Sequence, residues 1–478
     1  MKFACLIPLV FLTGCMSPLT VRTISGETPI VFESASGETV DAYEGSLIVP
    51  ENRSAPDSRS LTLKYVRFPA TGEQAGEPTI YLSGGPGGSG IETAKHERFP
   101  LFMAMREFGD VIAFDQRGTG ASNDLENCSS SQHISTTSPT SDADYFEIQR
   151  VAFAECLGFW KDQGIDVHGY TTPESVSDLN ALRKHLGAKK VNLWGISYGS
   201  HLSLAALQQI DEHVNRVIIA AVEGLDQTVK QPARADLYFD RLQAAINTVP
   251  EAKAKFPDVK ALIGRVLDRL NAKPLLLDIP TASGESVPYL FQRRDLQQFT
   301  SALVADPPRA ALILNVYRAL DAGDTEFITS LLQRGVDPTD TTVSFRPMTY
   351  LMDVASGSGA ARRAMIAKQA ETALLGLHMN FSMHLETVDP SLDLGATFRK
   401  IPVSEVPTLI LSGTLDGRTY PQSGQEATAG LSNRQTVAVT NGGHNLFMLS
   451  PEVTETIQDF MRGESVDGRE IIVDLPQF

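Results

Sequence analysis

The chain has 478 residues, of which 42% are hydrophobic and 21% charged, and this balance excludes wholly disordered, collagen-like and coiled-coil proteins. Lysine and arginine number 41 against 57 aspartates and glutamates, so the net charge is −16. Because a surface of that sign repels phosphate backbones, we expect no nucleic-acid partner. The length allows up to about three domains, or one large α/β domain with an insertion.

The start of the chain predicts export. Residues 1–14 combine one lysine with a short apolar run, which is typical of a signal peptide and too short to span a bilayer. The segment Leu12-Thr13-Gly14-Cys15 is similar to the lipobox of bacterial lipoproteins, which implies that Cys15 carries lipid and becomes the new N-terminus. Met16 follows instead of aspartate, which implies the periplasmic face of the outer membrane, with this lipid as the only membrane contact. A plain signal peptide cut nearby is the alternative.

The remaining cysteines predict a disulfide rather than a metal site. Cys5 would leave with the signal peptide, so Cys128 and Cys156 form one possible pair, and an oxidising compartment favours their bridge. Two buried free thiols are the alternative. We expect no metal, because the chain has no HExxH motif and because His378 and His384, six residues apart, would lie on different faces of any helix.

The next segments predict a tether followed by strands. Residues 15–40 are rich in Ser, Thr, Gly and Glu and are typical of a tether. Two β-rich runs, Tyr43 to Val49 and Leu61 to Phe68, flank a turn and predict an antiparallel pair. Later short apolar runs suit buried parallel strands, and they lie at Thr79 to Leu82, Val111 to Phe114, Val191 to Trp194, Val217 to Val222, Thr408 to Leu411 and Thr436 to Val439.

Helical patterns alternate with these runs. Ser175 to Leu186 and Ser200 to Ile210 are examples, and the alternation predicts a mostly parallel, doubly wound α/β sheet. This alternation of strand and helix patterns stops after the apolar run that ends at Val222. We therefore predict a core built from residues 41–224 and 400–478, with a mainly helical insertion at residues 225–399.

A candidate nucleophile lies between one such strand and helix. The glycines of Gly195-Ile196-Ser197-Tyr198-Gly199 permit a tight turn that holds the serine in a strained conformation above the sheet edge. A serine hydroxyl is scarcely ionised at neutral pH. It therefore needs a base within hydrogen-bond reach and a third group that orients the base.

Two later residues can supply those roles. Asp416 follows the predicted strand at Thr408 to Leu411, and His444 lies in a loop after the next strand. The chain order serine, acid, histidine is that of α/β-hydrolases, so we predict Ser197 as nucleophile, His444 as base and Asp416 as the orienting acid. His201 is one turn from Ser197, on a helix that should carry it away from the site.

A glycine-rich loop predicts an oxyanion hole. Acyl transfer needs donors for the developing negative charge, and we assign the backbone N–H groups of Gly85 and Tyr198. The loop also contains Gly85-Pro86-Gly87-Gly88-Ser89-Gly90, which satisfies the pattern G-x-G-x-x-G. With Asp115 at the end of the next strand, this is the pattern of a dinucleotide-binding site. Antiparallel strands before the loop, the stiffening Pro86 and export of the chain disfavour that alternative, so we expect no cofactor.

These motifs together resemble the α/β-hydrolase family of prolyl and tripeptidyl aminopeptidases, the family of proline iminopeptidase. The resemblance covers the predicted sheet domain and implies that the helical insertion is a cap over the site. One departure is Ser83, where many relatives have histidine, but a backbone donor does not depend on that side chain. We expect Asp115 and Arg117 to brace loops as a buried pair. The motifs are Gly84-Gly85-Pro86-Gly87-Gly88-Ser89, Asp115-Gln116-Arg117-Gly118-Thr119-Gly120-Ala121-Ser122, Gly195-Ile196-Ser197-Tyr198-Gly199, Gly413-Thr414-Leu415-Asp416 and Gly442-Gly443-His444.

The resemblance also implies that carboxylates near the cap hold the free amine of the substrate. Glu223 follows the strand that ends at Val222, at the sheet edge where ligands bind, and is our candidate anchor. A structural acid at a strand end is the alternative. Asp236, Asp240 and Glu386 in the cap are less distinct candidates.

The leading hypothesis is a lipid-anchored serine peptidase that removes one or a few residues from peptide N-termini through an acyl-enzyme. The same fold and triad serve a carboxylesterase acting on small acyl esters, which is the second hypothesis. A catalytically silent binding protein of the cell envelope is the third. The sequence leaves the residue preference, the number of residues released and the oligomeric state open.

Overall fold

The computed structural model describes residues 24–72, 76–123, 125–281 and 284–478. The predicted signal peptide at residues 1–14 and the predicted lipidation site Cys15 lie outside the described residues. The strands are β1 (Thr28–Glu33), β2 (Thr39–Pro50), β3 (Ser60–Phe68), β4 (Thr79–Leu82), β5 (Val111–Phe114), β6 (Cys128–His133), β7 (Val191–Ile196), β8 (Val214–Ala220), β9 (Leu275–Pro280), β10 (Ser286–Phe291), β11 (Thr342–Phe345), β12 (Thr408–Gly413), β13 (Arg434–Thr440) and β14 (Glu470–Ile472).

The helices of the described residues fall into three groups. Those before the insertion are α1 (Gly90–Lys95), α2 (Phe99–Met105), α3 (Asp142–Asp162), α4 (Thr172–His185) and α5 (Tyr198–Gln209). Those of the insertion are α6 (Pro232–Ile246), α7 (Pro250–Lys255), α8 (Val259–Ala272), α9 (Arg293–Leu303), α10 (Pro307–Asp321), α11 (Glu326–Gly335), α12 (Pro347–Ser356), α13 (Ala360–Ala370) and α14 (Gly395–Phe398). Those after it are α15 (Pro421–Ala427) and α16 (Pro451–Arg462).

A ten-stranded sheet in the order β1-β2-β3-β5-β4-β7-β8-β12-β13-β14 forms the centre of the molecule. The pairs from β1 to β5 along this order are antiparallel, and those from β5 to β14 are parallel. The strands β4, β5 and β7 are buried along their whole length, because helices cover both faces, and this explains their nearly continuous apolar sequences. The predicted α/β-hydrolase fold class is confirmed.

Alternate side chains of one strand enter different hydrophobic layers. On β4, Ile80 and Leu82 pack in the layer that contains α4 and α5, whereas Tyr81 packs with Phe102 of α2 and Phe460 of α16. The insertion has a core of its own, formed chiefly by α6, α8 and α10. Other parts of the insertion, among them β11 and α12, pack in the same layer as Ile80 and Leu82, against the sheet.

The sheet begins earlier than the sequence analysis expected. Strand β1 lies inside residues 15–40, which we predicted as a tether, and it pairs with β2 at the sheet edge. Its Phe32 is buried against Phe68, with ring centroids 4.9 Å apart, while Val31 on the other face is 68% exposed. A half-buried edge strand needs only this alternation, which the Ser, Thr and Gly content of the segment hid.

The insertion is also less uniformly helical than predicted. Strands β9 and β10 form an antiparallel hairpin. Strand β11 pairs with β6, which lies before the insertion, and the paired residues Thr342 and His133 are 209 positions apart (342 − 133). Cys128 of β6 is joined to Cys156 of α3 by a disulfide, and both cysteines are buried. This small sheet therefore ties the insertion to the core, and a pairing so distant in sequence leaves no local pattern to find.

Within the described ranges, the helices are too short or too polar to cross a lipid bilayer.

Candidate active site

The candidate nucleophile Ser197 lies directly between β7 and α5. Its backbone has φ 54° and ψ −123°, a region that costs a non-glycine residue on the order of 1–3 kcal/mol. Close packing explains the glycines on either side. A Cβ at Gly195 would lie 2.3 Å from the carbonyl oxygen of Gly199, and a Cβ at Gly199 would lie 2.0 Å from that of Leu82. Local packing thus holds the serine at the carboxyl edge of the sheet.

His444 and Asp416 are in direct contact. The ring nitrogen Nδ1 of His444 lies 3.0 Å from Oδ2 of Asp416, in the loops that follow β13 and β12. The backbone N–H groups of Arg418 and Thr419 donate to Oδ1 of Asp416 at 2.7 and 2.8 Å, and the Thr419 hydroxyl donates to Oδ2 at 2.5 Å. The carboxylate is therefore fixed from several directions.

The charge of Asp416 sets the role of the imidazole. Burial acts to raise the pKa of Asp416, but attraction to His444 and the hydrogen bonds from His444 and Thr419 outweigh it and hold the pKa below its ordinary value. An ionised carboxylate accepts a hydrogen bond from Nδ1–H of His444, which leaves Nε2 as the unprotonated acceptor nitrogen. This arrangement can act as a general base.

One cavity brings the candidate residues together. Ser197 and His444 both line a cavity of about 1060 Å³, which we call the Ser197 cavity. The three residues predicted as a triad come from the ends of β7, β12 and β13, which all point to the same edge of the parallel sheet. The structure thus brings Ser197, Asp416 and His444 to one place from positions as far as 247 residues apart in the chain (444 − 197).

The predicted oxyanion donors lie on either side of the serine. Gly85 lines the Ser197 cavity, and its neighbour Gly84 is so close that a Cβ there would lie 3.1 Å from Cβ of Ser197. Tyr198 is the first residue of α5, where backbone N–H groups have no partner within the helix. Its side chain is buried and contacts Met352 through the hydroxyl, so only its backbone is available to the site.

The structure does not bring Glu223, our candidate amine anchor, into the Ser197 cavity. Glu223 follows β8 as predicted, but its carboxylate is buried and forms an ion pair with Nζ of Lys230. Burial opposes the charge, yet Lys230 and His201 outweigh it and lower the pKa of Glu223. A direct contact with a substrate amine would therefore require Lys230 to move, a partner that the sequence position of Glu223 did not reveal.

Two further acids lie near this pair. Burial, followed by repulsion from Glu223, raises the pKa of Asp353 on α12 to about 8. Burial also raises the pKa of Glu386 to about 7, although Arg363 lies 3.1 Å from its carboxylate. Sequence analysis missed Asp353, because α12 is brought near by side-chain contacts with α5, of Met352 with Tyr198 and of Ser356 with His201.

The other acids proposed for the cap have structural contacts. Asp236 accepts a hydrogen bond from the backbone of Leu374 at 3.2 Å, and Asp240 pairs with Lys260 at 2.8 Å. The described residues that line the Ser197 cavity include neither acid. These contacts favour a role in holding cap helices together.

His201 lies away from the site, as expected. It is fully buried, with Nδ1 3.2 Å from the carbonyl oxygen of Gly224 and Nε2 3.2 Å from the hydroxyl of Ser356. Burial lowers its pKa. It connects α5 to α12 rather than serving as a base.

Asp115 and Arg117 brace loops, but they do not pair with each other as predicted. Asp115 accepts hydrogen bonds from the Ser89 hydroxyl at 2.6 Å and the Ile91 backbone at 3.0 Å, at the start of α1. Arg117 makes a two-pronged contact with Asp178 of α4, at 2.7 and 2.8 Å. The partners of Asp115 lie at the start of α1, and the partner of Arg117 lies on α4. Because the Asp115 carboxylate is already hydrogen-bonded there, it is poorly suited to bind the ribose of a dinucleotide, as the alternative interpretation of the glycine-rich loop would require.

The described residues contain no group of three or more His, Cys, Asp or Glu side chains that could hold a metal ion.

A family model described as the alpha/beta hydrolase fold matches residues 80–451, and the chain belongs to this family. It is 28% identical over 192 residues to the tripeptidyl aminopeptidase of Streptomyces coelicolor, which is 37% of this chain and 34% of that protein. It is 29% identical over 199 residues to the serine protease Hip1 of Mycobacterium tuberculosis, which is 40% of this chain and 38% of that protein. The chain therefore spans well under half the length of the curated relatives it matches.

The solved structures to which the chain is similar have lower sequence identity. A proline iminopeptidase-related protein from Thermus thermophilus is 17% identical with a TM-score of 0.39, over 88% of this chain and 97% of that chain. An epoxide hydrolase from an endophytic Streptomyces is 14% identical with a TM-score of 0.40, over 94% of this chain and 99% of that chain.

Proposed function

We propose that the protein is a serine hydrolase that works through Ser197, His444 and Asp416, and that it is an aminopeptidase releasing N-terminal residues from peptides. The observation that carries the proposal is the 3.0 Å contact between His444 and the buried Asp416, with His444 and the strained Ser197 lining one cavity. A serine turn, a base and an orienting acid are the three parts that nucleophilic acyl transfer needs.

The proposed reaction proceeds through an acyl-enzyme. Oγ of Ser197 attacks the carbonyl carbon of the scissile bond while Nε2 of His444 takes its proton, and Asp416 stabilises the resulting imidazolium. The backbone N–H groups of Gly85 and Tyr198 donate to the oxyanion. The imidazolium then gives its proton to the leaving amine, and water releases the acyl group by the same steps.

Two features support a peptide with a free amine as the substrate. The names of the relatives, a tripeptidyl aminopeptidase and a serine protease, point to peptide bonds. Asp353 and Glu386 lie near the cap, and their pKa values of about 8 and about 7 are close to neutral pH, so a bound ammonium group would favour their ionised forms. We propose these two acids, rather than Glu223 alone, as the region of amine binding, because Glu223 is paired with Lys230.

The test is hydrolysis of a chromogenic panel. It contains free-amine alanyl and prolyl amides, the same amides N-acetylated and a short acyl ester, with Ser197→Ala as the control for contaminating enzymes. We expect turnover of the free-amine amides, loss of that turnover on acetylation and none in Ser197→Ala. Turnover of the ester alone, indifferent to a free amine, would replace the peptidase proposal by the carboxylesterase.

We also propose that the protein is lipid-anchored in the cell envelope through Cys15. The lipobox-like segment supports this proposal, as does the disulfide between Cys128 and Cys156, which suits an oxidising compartment. Palmitate labelling of full-length protein expressed in a Gram-negative host, followed by membrane fractionation, tests it. We expect label and membrane association, both lost in Cys15→Ala; a labelled Cys15→Ala protein would refute the assignment.

A further inference from the structure

Arg418 lies where two cavities meet. The first is the Ser197 cavity; the second, of about 760 Å³, is lined by polar side chains such as Tyr145, Gln292 and Asp295, and we call it the cap cavity. Both cavities are lined by Ala302 and Arg418. A substrate that extends from Ser197 into the cap cavity would therefore pass the Arg418 guanidinium.

The guanidinium of Arg418 has no carboxylate partner among the described residues. It is half-buried, and its side-chain hydrogen bond is a long one of 3.3 Å from Nη1 to the Ser301 hydroxyl. Arg294, which also lines the cap cavity, differs because it lies 3.5 Å from a carboxylate oxygen of Asp142. Arg98 and Arg309 of the Ser197 cavity also have no carboxylate partner among the described residues, but neither of them lines the cap cavity. Arg418 is therefore distinguished by its position, because it presents an unpaired guanidinium to both cavities.

The acids near the Arg418 guanidinium are engaged elsewhere or neutral. The ionised carboxylate of Asp416 is held by His444, by Thr419 and by backbone N–H groups. The nearby ion pair of Glu223 and Lys230 is neutral as a pair. Burial raises the pKa of Asp353 to about 8, so this third neighbour is largely protonated at neutral pH. The positive charge of Arg418 is thus available to an anionic ligand, and the planar fork of a guanidinium matches a carboxylate in two parallel hydrogen bonds.

The position of Arg418 places such a contact next to the reacting atoms. Its backbone N–H donates to Oδ1 of Asp416, and Oδ2 of the same carboxylate contacts His444. The turn that orients the base therefore also presents the guanidinium. An extended peptide advances about 3.3–3.6 Å per residue. A carboxylate bound to the guanidinium would therefore belong to a part of the substrate close to the bond that is cleaved.

We propose that Arg418 is a specificity-determining residue that binds a carboxylate of the substrate beside the scissile bond. This inference rests on the proposed peptidase function and adds the class of peptide that is preferred. The carboxylate has two possible sources, the C-terminus of a short peptide and an acidic side chain of a longer one.

The experiment compares kcat/KM for matched peptides with a free N-terminus. One pair is tetra-alanine with a free C-terminal carboxylate against its carboxamide; the other is an amidated peptide containing aspartate against the same peptide containing asparagine. The wild-type protein should prefer the carboxylate member of one pair by about 10- to 100-fold, the range of a charge-assisted hydrogen bond. The pair that shows the preference identifies the source.

Variants assign that preference to Arg418. In Arg418→Gln the ratio of the two kcat/KM values should fall close to one, and Arg418→Lys should keep part of it, since the charge remains while the fork is lost. The ratio is the readout because damage to the triad would lower both rates together. Arg318→Gln is the matched control, because Arg318 is exposed on α10 and lines neither cavity.

Two results would overturn the inference: a wild-type ratio near one for both pairs, or a ratio that survives in Arg418→Gln. In either case, the proposed aminopeptidase activity would still be supported if the wild-type protein hydrolyses the amidated peptides and Ser197→Ala does not. Absence of turnover with every free-amine peptide would remove both proposals.

Discussion

At the scale of residues, the site depends on how burial and neighbours set charge. Asp416 stays ionised in a buried place because His444 and Thr419 bind its charged form, whereas burial and repulsion from Glu223 raise the pKa of the half-buried Asp353 to about 8. The pKa values of these two aspartates are thus shifted in opposite directions. The first can orient a base, and the second can change charge near neutral pH.

The raised pKa of Asp353 predicts a pH-dependent stability. Between the ordinary value of 3.8 and about 8, the folded protein holds a proton that the unfolded chain has released. Stability contributed by this group therefore falls as pH rises through that window and levels off above it. Asparagine cannot ionise, so the Tm of Asp353→Asn should exceed that of the wild type by an amount that grows from about pH 5 to about pH 8. Thermal melts across this range test it, and a Tm difference independent of pH would contradict it.

The chain order of serine, acid and histidine, each just beyond a strand, was sufficient to predict the three residues that the structure brings together. The surroundings were not predictable in the same way. Lys230 pairs with Glu223 from only seven residues further along the chain, in the loop before α6. Asp353 approaches on α12, which contacts α5 through Met352 and Ser356. No short motif records these side-chain contacts.

At the scale of elements, the turn between β7 and α5 is fixed by backbone contact. Because a Cβ at Gly199 would lie 2.0 Å from the Leu82 carbonyl oxygen, Gly199→Ala must shift β4 against α5, and we expect a loss of about 1–3 kcal/mol in unfolding free energy. Gly158→Ala is the control, since Gly158 lies in α3 with open space around it and should gain about 0.5–1 kcal/mol. Urea unfolding measures both, and equal effects of the two substitutions would refute the packing argument.

The disulfide stabilises the connection between core and insertion. It closes a loop of 28 residues and holds β6, the partner of β11, against α3. Chain entropy predicts that the double variant Cys128→Ser and Cys156→Ser loses about 3–4 kcal/mol in unfolding free energy. Reduced wild-type protein is the control and should lose a similar amount. Unchanged stability in both samples would show that the bridge contributes nothing.

The strands that could be predicted are those with a strong local sequence pattern. The buried central strands have continuous apolar runs, and the predicted runs coincide with or overlap the observed strands. Among the described residues, six strands were missed. Strands β1 and β14 are the two edges of the large sheet, and β1 has only one buried face. The other four form the two small sheets, β9 with β10 and β6 with β11, where tertiary contact rather than local pattern decides the structure.

At the scale of the whole molecule, a net charge of −16 affects how substrates arrive. A negative field attracts a peptide amide whose single charge is its terminal ammonium, and salt screens that field. We expect kcat/KM for this substrate to fall by about two-fold between low and physiological ionic strength, with little change for the N-acetylated form. A rise with salt would contradict steering by the acidic surface.

The central claim is that Ser197 is an activated nucleophile, and covalent labelling tests it most directly. Purified protein is treated with a fluorophosphonate, and the adduct is located by intact mass and peptide mapping. We predict one adduct per chain, on Ser197, with labelling abolished in Ser197→Ala, much slower in His444→Ala and retained in Ser203→Ala, a control on the same helix α5. An unlabelled wild-type protein, or an adduct on another residue, would contradict the account.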